Sequence, residues 1–191
     1  MALIIGLTGP NAAGKGEAAR WLAERGFVVH SLSDIVRERA LALGRDVGRA
    51  SLIETGQAMR REGGPGILAR LLVPRLSDRS VVDSIRHPAE VDVLREQPGF
   101  RLLGIDARVE TRWRRAVARG REGDIPDLAT FAARERLEDG TSPEQQQLSR
   151  ALALADRVVV NDGSLEQFRD AVLAAVAAWE AEGVPQPDTA D

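Results

Sequence analysis

With 191 residues, 43% of them hydrophobic, the chain is sized for one domain with a real core, and no apolar run approaches the ~18 residues a bilayer crossing needs. A net charge of −3 argues against a general nucleic-acid binder, which needs a basic excess to replace counterions, and the lack of cysteine excludes disulfides and thiolate metal sites. The opening Met1-Ala2-Leu3-Ile4-Ile5-Gly6 puts no basic leader before its short apolar run, so a cytoplasmic protein is expected.

Leu3-Ile4-Ile5 reads as a strand, Gly6 to Gly16 as a loop, Glu17 to Arg25 as a helix closed by Gly26, and Phe27-Val28-Val29 as a second strand. Between strand and helix, Gly9-x-x-x-x-Gly14-Lys15 fits a phosphate-binding P-loop in the setting that motif requires. Of 26 Lys and Arg residues, Lys15 alone is a lysine. The motif explains it: a compact ammonium on a flexible stem follows a moving phosphoryl group better than a planar guanidinium does. Gly9, Asn11, Ala12, Ala13, Gly14, Lys15, Gly16 and Glu17 are therefore the expected cradle of ATP, with Lys15 on the β and γ phosphates. One position departs from the pattern. The hydroxyl residue that ordinarily follows the lysine as a Mg²⁺ ligand is Gly16, and Glu17 comes next.

After the second strand, Ser33 reads as a helix cap with Asp34 in the first turn, and Arg37 faces either an anion or the carboxylates of Asp34 and Glu38. An insertion of about 34–78 follows, helical around Ile35–Leu43 and Ala50–Arg61 and broken by glycines and Pro65, long enough for a small mobile lobe. The third strand, Ser80-Val81-Val82, runs into Asp83-Ser84-Ile85-Arg86, and Pro88 suits the first position of a helix. Asp83 is either the second Mg²⁺-organising group, acting through water, or an ordinary turn residue. Arg37, Arg60 and Arg86 are expected to converge on an acceptor phosphate, since guanidinium forks match phosphate geometry.

The fourth strand is Arg101–Ile105. Beyond it Arg108, Arg112, Arg115 and Arg119 fall within about a 60° arc of one helix face. They form either an arm that closes over ATP phosphates, hinged at Gly120 and Gly123, or a solvated face balanced by Glu110. Arg157–Val160 is the fifth strand, Asn161-Asp162-Gly163 a turn beside the adenine, and Ser164 with Gln167 a capping box for a last helix that ends near Glu182. Residues 184–191 read as a disordered tail. Alternating β and α segments predict an α/β fold, a five-stranded parallel sheet with helices on both faces, in one domain of residues 1–183. His30 and His87 lack metal-ligand spacing, and Trp21, Trp113 and Trp179 read as packing residues rather than a base-stacking platform.

Gly9 to Glu17, Ser33 to Arg37, Glu62 to Gly66, Asp83 to Arg86 and Val160 to Glu166 together resemble the motif set of P-loop nucleoside monophosphate kinases, most nearly the branch related to dephospho-CoA kinase. The loop ending also resembles adenylate kinase, which has Thr where this chain has Glu17. The resemblance spans about residues 3–175. It implies an ATP-dependent phosphotransferase that uses Mg²⁺, with an acceptor lobe near 34–78 and a lid near 112–140. It would set Arg37 and Arg86 on the acceptor and Arg119 or Arg121 over the phosphates. The resemblance leaves the acceptor open, and the arginine-lined acceptor lobe favours a small phosphorylated molecule, foremost a (deoxy)nucleoside monophosphate. A dephospho-CoA acceptor would instead offer a hydroxyl, with Asp34 as the candidate base. A regulatory ATPase with no acceptor is the alternative of a different class. Neither nucleic acid nor membrane is an expected partner, and the oligomeric state is left open.

Overall fold

Leu3 to Thr8 lacks the polar alternation of a half-exposed strand, and it forms the central strand β1 (Leu3–Thr8), buried along its whole length. The computed structural model describes residues 2–120 and 127–182. Strands β2 (Val28–Ser31), β3 (Arg79–Ile85), β4 (Phe100–Asp106) and β5 (Arg157–Val160) complete one sheet in the order β2-β3-β1-β4-β5, with every pairing parallel. The expected five-stranded parallel sheet is the one observed.

Strand alternation sorts the core into two layers. Leu3, Ile5, Leu7, Val81, Leu103 and Ile105 face helices α1 (Lys15–Glu24) and α9 (Leu165–Glu182), where Trp21, Leu22, Phe168, Val172 and Trp179 close the layer. Ile4, Val82, Ile85, Phe100 and Leu102 face the other way, onto α2 (Leu32–Ala42), α3 (Arg49–Gly63), α4 (Ile67–Leu72), α5 (Pro88–Arg95) and α8 (Leu148–Ala153). Helices α6 (Val109–Arg119) and α7 (Leu128–Glu138) follow β4 and pack on each other. Buried Trp21 and Trp179 are packing residues, as expected.

The insertion between β2 and β3 holds three helices rather than two, because Gly64, at φ 81°, ends α3 and the chain restarts as α4 before the single 3-10 turn Val73–Arg75. The cap of α2 is Ser31, not Ser33: the Ser31 hydroxyl accepts from the Ser33 N–H at 3.3 Å. Pro88 takes the first turn of α5 as expected, and His87 caps it, Nδ1 accepting from the Ala89 N–H at 3.0 Å. Ser164 and Gln167 make the expected reciprocal box, at 2.9 and 3.1 Å. Gly120 closes α6 in the left-handed conformation. Arg121, Gly123 and the tail 184–191 lie outside the described residues. Among those described, no helix is long and apolar enough to cross a membrane.

Candidate active site

The loop from β1 to α1 is shaped by two glycines that tolerate no side chain. At Gly9, φ 134°, a Cβ would lie 1.9 Å from the Ile105 carbonyl oxygen; at Gly14, φ 118°, it would lie 2.5 Å from Asn161 Nδ2. Ala12 also adopts a positive φ, 58°, a strained conformation held by its surroundings. The Lys15 ammonium folds back along this loop, donating to the carbonyls of Gly9 and Pro10 at 2.7 and 2.8 Å. A primary ammonium has three protons, so one is left over. Burial, then the charge of Arg86, brings the Lys15 pKa down from 10.5 to about 8.

At the carboxyl ends of β1, β2 and β3, this loop opens onto a cleft of about 730 Å³, within the range of ligand sites. Asn11, Ala12, Gly14, Lys15, Gly16 and Glu17 line one end. Around the rest stand Arg37, Arg49, Arg60, Arg86, Arg115 and Arg119, so among the described residues seven cations meet three carboxylates, those of Glu17, Asp83 and Glu138. Leu32, Val36, Leu52, Ile53 and Leu68 form an apolar wall from α2, α3 and α4. Gly9 and Ala13 shape the loop from beneath without facing the cleft.

Of the three arginines expected to converge, all reach the cleft wall, but their guanidiniums have different partners. Arg37 pairs with Asp34 on its own helix, the bland alternative for this residue, and Asp34 is exposed and outside the cleft lining. Arg60 is buried against Glu90, Nη2 to Oε1 at 2.7 Å, and its Nε finds no partner among the described residues. Arg86 donates to Gln146 Oε1 at 3.0 Å, and burial followed by the nearby Arg49 charge lowers its pKa below the usual arginine value. Glu90 also accepts from the backbone N–H groups of Arg86 and His87, at 2.8 and 3.1 Å, and so fixes the turn that presents Arg86.

The arginine stripe of α6 divides. Arg108 pairs with Asp162 at the start of the helix, and Arg112 is buried, bonded to the Ala107 carbonyl and to Glu135 of α7, so these two fasten α6 in place. Arg115 and Arg119 face the cleft. Arg115 Nη2 donates to Asn161 Oδ1 at 3.1 Å, while its Nη1 is buried without a partner among the described residues, a cost that an anionic ligand would remove. Asn161, expected beside the adenine, is buried behind the loop, its Nδ2 donating to the Ala13 carbonyl at 2.7 Å.

Asp83 lines the cleft at the end of β3, its Oδ1 accepting from the Ser84 N–H at 2.6 Å, and its charge acts on Lys15. Ser84 has φ 66°, and its hydroxyl accepts from Ser31, which also meets Ser33 at 2.9 Å. A Cβ at Gly16 would meet nothing within 4 Å, so space exists where a metal-binding hydroxyl usually stands. Among the described residues no group of three metal-ligating side chains occurs. The donor set fits a Mg²⁺ held by one carboxylate, nucleotide oxygens and water, the habit of that ion. The exposed carboxylate of Glu17 pairs with Arg20 at 2.8 Å.

Sequence reasoning missed Arg49, Glu138, Gln146, Ser33, Ser84 and the apolar wall as cleft residues. Leu52, Gly56 and Arg60 follow one another at i, i+4 and i+8, a spacing that marks their shared helix face. Nothing local marks Arg49 and Glu138, whose partnership spans 89 residues.

No family model matches the chain. A UPF0200 protein of Methanoculleus marisnigri is 36% identical over 170 residues, covering 86% of this chain and 90% of the relative. Another UPF0200 protein, of Methanothermobacter thermautotrophicus, is 32% identical over 172 residues, covering 87% and 85%. Among solved structures, TT1252 from Thermus thermophilus matches with a TM-score of 0.60 and 26% identity over 93% of this chain and 97% of its own. Shikimate kinase from Aquifex aeolicus reaches the same TM-score, 0.60, at 14% identity over 95% and 100%, a likeness of fold alone. The chain therefore shares the shikimate kinase fold.

Proposed function

The chain belongs to the UPF0200 family, and we propose that it transfers the γ-phosphoryl group of ATP to a small phosphorylated acceptor, foremost a (deoxy)nucleoside monophosphate. One observation carries the reading: a P-loop lysine and six arginines line a single cleft that also has an apolar wall. Two phosphate-bearing ligands facing each other account for that charge, and one end would hold a triphosphate while the other holds the acceptor. In this reading residues near 34–78 are the acceptor lobe and residues near 112–140 the lid. The resemblance to nucleoside monophosphate kinases agrees with it.

The chemistry follows from the charges. A phosphate-monoester oxygen is already deprotonated, so no base is required. The acceptor oxygen forms the new P–O bond as the bond from the γ phosphorus to the β–γ bridging oxygen breaks, and ADP leaves with that electron pair. Lys15 exchanges its two carbonyl partners for phosphate oxygens, and Arg115 and Arg119 add charge as the transferring group passes. Asp83 would hold Mg²⁺, through water, and the ion would neutralise charge on the β and γ oxygens. Asp34 is turned to Arg37 and solvent, which supports the phosphate acceptor over a hydroxyl acceptor that needs a base.

A panel of (deoxy)nucleoside monophosphates and dephospho-CoA, followed for ADP release with and without acceptor, tests the proposal. Acceptor-dependent release with at least one monophosphate is expected, abolished by Lys15→Met and only moderately reduced by Asp34→Asn. Turnover indifferent to every acceptor would identify an ATPase instead, and loss of several orders of magnitude in Asp34→Asn would point to the hydroxyl acceptor.

A further inference from the structure

Glu138 occupies Arg49 in the way a ligand would. Arg49 Nε donates to Oε1 at 3.0 Å and Nη2 to Oε2 at 2.6 Å, both side chains line the cleft, and they come from α3 on one side and α7 on the other. This paired fork is the geometry in which arginine takes a carboxylate or a phosphate. The two charges also sit at the wrong ends of their own helices. Arg49 is the first residue of α3, where the helix dipole is positive, and Glu138 is the last residue of α7, where it is negative. The dipole explains neither position, although Glu138 also accepts from Arg134 Nε one turn back on α7, at 3.2 Å, whereas an anion at the start of α3 would suit both Arg49 and the dipole.

Arg86 lies close enough to Arg49 for each charge to act on the other, and a neutral amide oxygen of Gln146 is the partner of its Nη1. Arg49 and Arg86 thus both feel the charge of Glu138, which Arg134 also holds, Nε to Oε1 at 3.2 Å, while Asp83 and Glu90 act on Arg86 as well. Exchanging that carboxylate for another monoanionic carboxylate gains no charge. A phosphate dianion does gain, because it presents a second charge and a third oxygen to Arg86. Leu52 and Ile53, one turn along α3, continue as an apolar wall for whatever the phosphate is attached to.

We propose that Glu138 is a resident counter-anion which an incoming phosphate monoester displaces from Arg49, so that Arg49 and Glu138 together select a phosphorylated acceptor over a carboxylate or a plain hydroxyl. The inference rests on the kinase reading and deepens it by assigning the acceptor phosphate its own receptor. Release of Glu138 also breaks this link between α7 and α3.

Inorganic phosphate is the probe, titrated calorimetrically into protein whose P-loop is saturated with a non-hydrolysable ATP analogue and Mg²⁺, with acetate as the monoanionic control. Glu138→Gln should bind phosphate on the order of tenfold more tightly than the parent, the scale of an ordinary coupling between sites. Glu138→Asp, which keeps the charge but shortens its reach, should gain less, acetate should gain little, and Arg49→Gln should lose phosphate binding whether or not Glu138 is also changed. Unchanged or weaker phosphate binding in both Glu138 variants, or an equal gain for acetate, overturns the proposal. Analogue binding in the parent separates the two readings: if it holds while phosphate affinity ignores Glu138, the counter-anion fails and the kinase survives. If the analogue does not bind, the kinase reading fails, and the same titrations in a Lys15→Met background still read the Arg49 site.

Discussion

Among the described residues, Lys15 is the one cleft cation whose charge changes at moderate pH, because arginine keeps its proton throughout. Phosphate oxygens favour the ammonium, so nucleotide binding must raise its pKa from about 8 and take up protons wherever the free lysine is partly neutral. Calorimetry near pH 8 in buffers of different ionisation enthalpy should show that uptake, and in mildly acidic buffer it should vanish. A heat independent of the buffer at the alkaline pH would mean that the ammonium does not meet the nucleotide. The prominence of Lys15 was legible in the sequence because composition left it alone among arginines. Asp34 was among the partners its helix offered Arg37, but the partners of Arg60 and Arg112 were not legible, since helical periodicity tells which face a side chain occupies and not which carboxylate another helix brings to it.

The start of α5 depends on an unusual cap. His87 Nδ1 can accept from the Ala89 N–H only while the imidazole is neutral, and Nε2 is buried without a partner among the described residues. Burial holds its pKa below the free value of 6.5, with Arg60 and Arg150 opposing protonation and Glu90 and Asp92 favouring it. The unfolded chain therefore takes up the proton first. Stability from this group is complete above pH 6.5 and falls as the pH drops toward the lower folded value. His30, also lowered by burial and by Arg75, acts in the same direction. Substituting His87→Asn keeps a good cap without the titration. Thermal midpoints measured on both proteins from neutral to mildly acidic pH should fall less steeply for the variant, and parallel curves would refute the assignment. Strands, the P-loop and Pro88 were readable because local pattern sets them. The displacement of the α2 cap to Ser31 and the third helix of the insertion were harder, since both turn on where β2 stops and how tightly Gly64 bends.

At the scale of the molecule, one buried ion pair joins the inserted helices to the sheet layer. Arg60 on α3 meets Glu90 on α5 with neither side chain more than 5% exposed, and Glu90 holds the Arg86 turn as well. Removing one partner leaves the other charged in a dry place, so Glu90→Ala should cost about 3–5 kcal/mol in urea unfolding. Replacing both residues with apolar side chains should recover much of that loss, and a single substitution without effect would show that the inserted helices open independently of the sheet. The five-stranded parallel sheet was foreseeable from β–α alternation, while its strand order and the joining of α3 to α7 through Arg49 and Glu138 needed the folded chain. Asn161 makes a comparable bridge on the opposite side, one hand of its amide on the Ala13 carbonyl and the other on Arg115. An anion that meets the buried Arg115 Nη1 while Nη2 keeps its hold on Asn161 would pull, through that amide, on the Ala13 carbonyl, so the seating of a ligand would be relayed to the loop beneath it as a tightened thread.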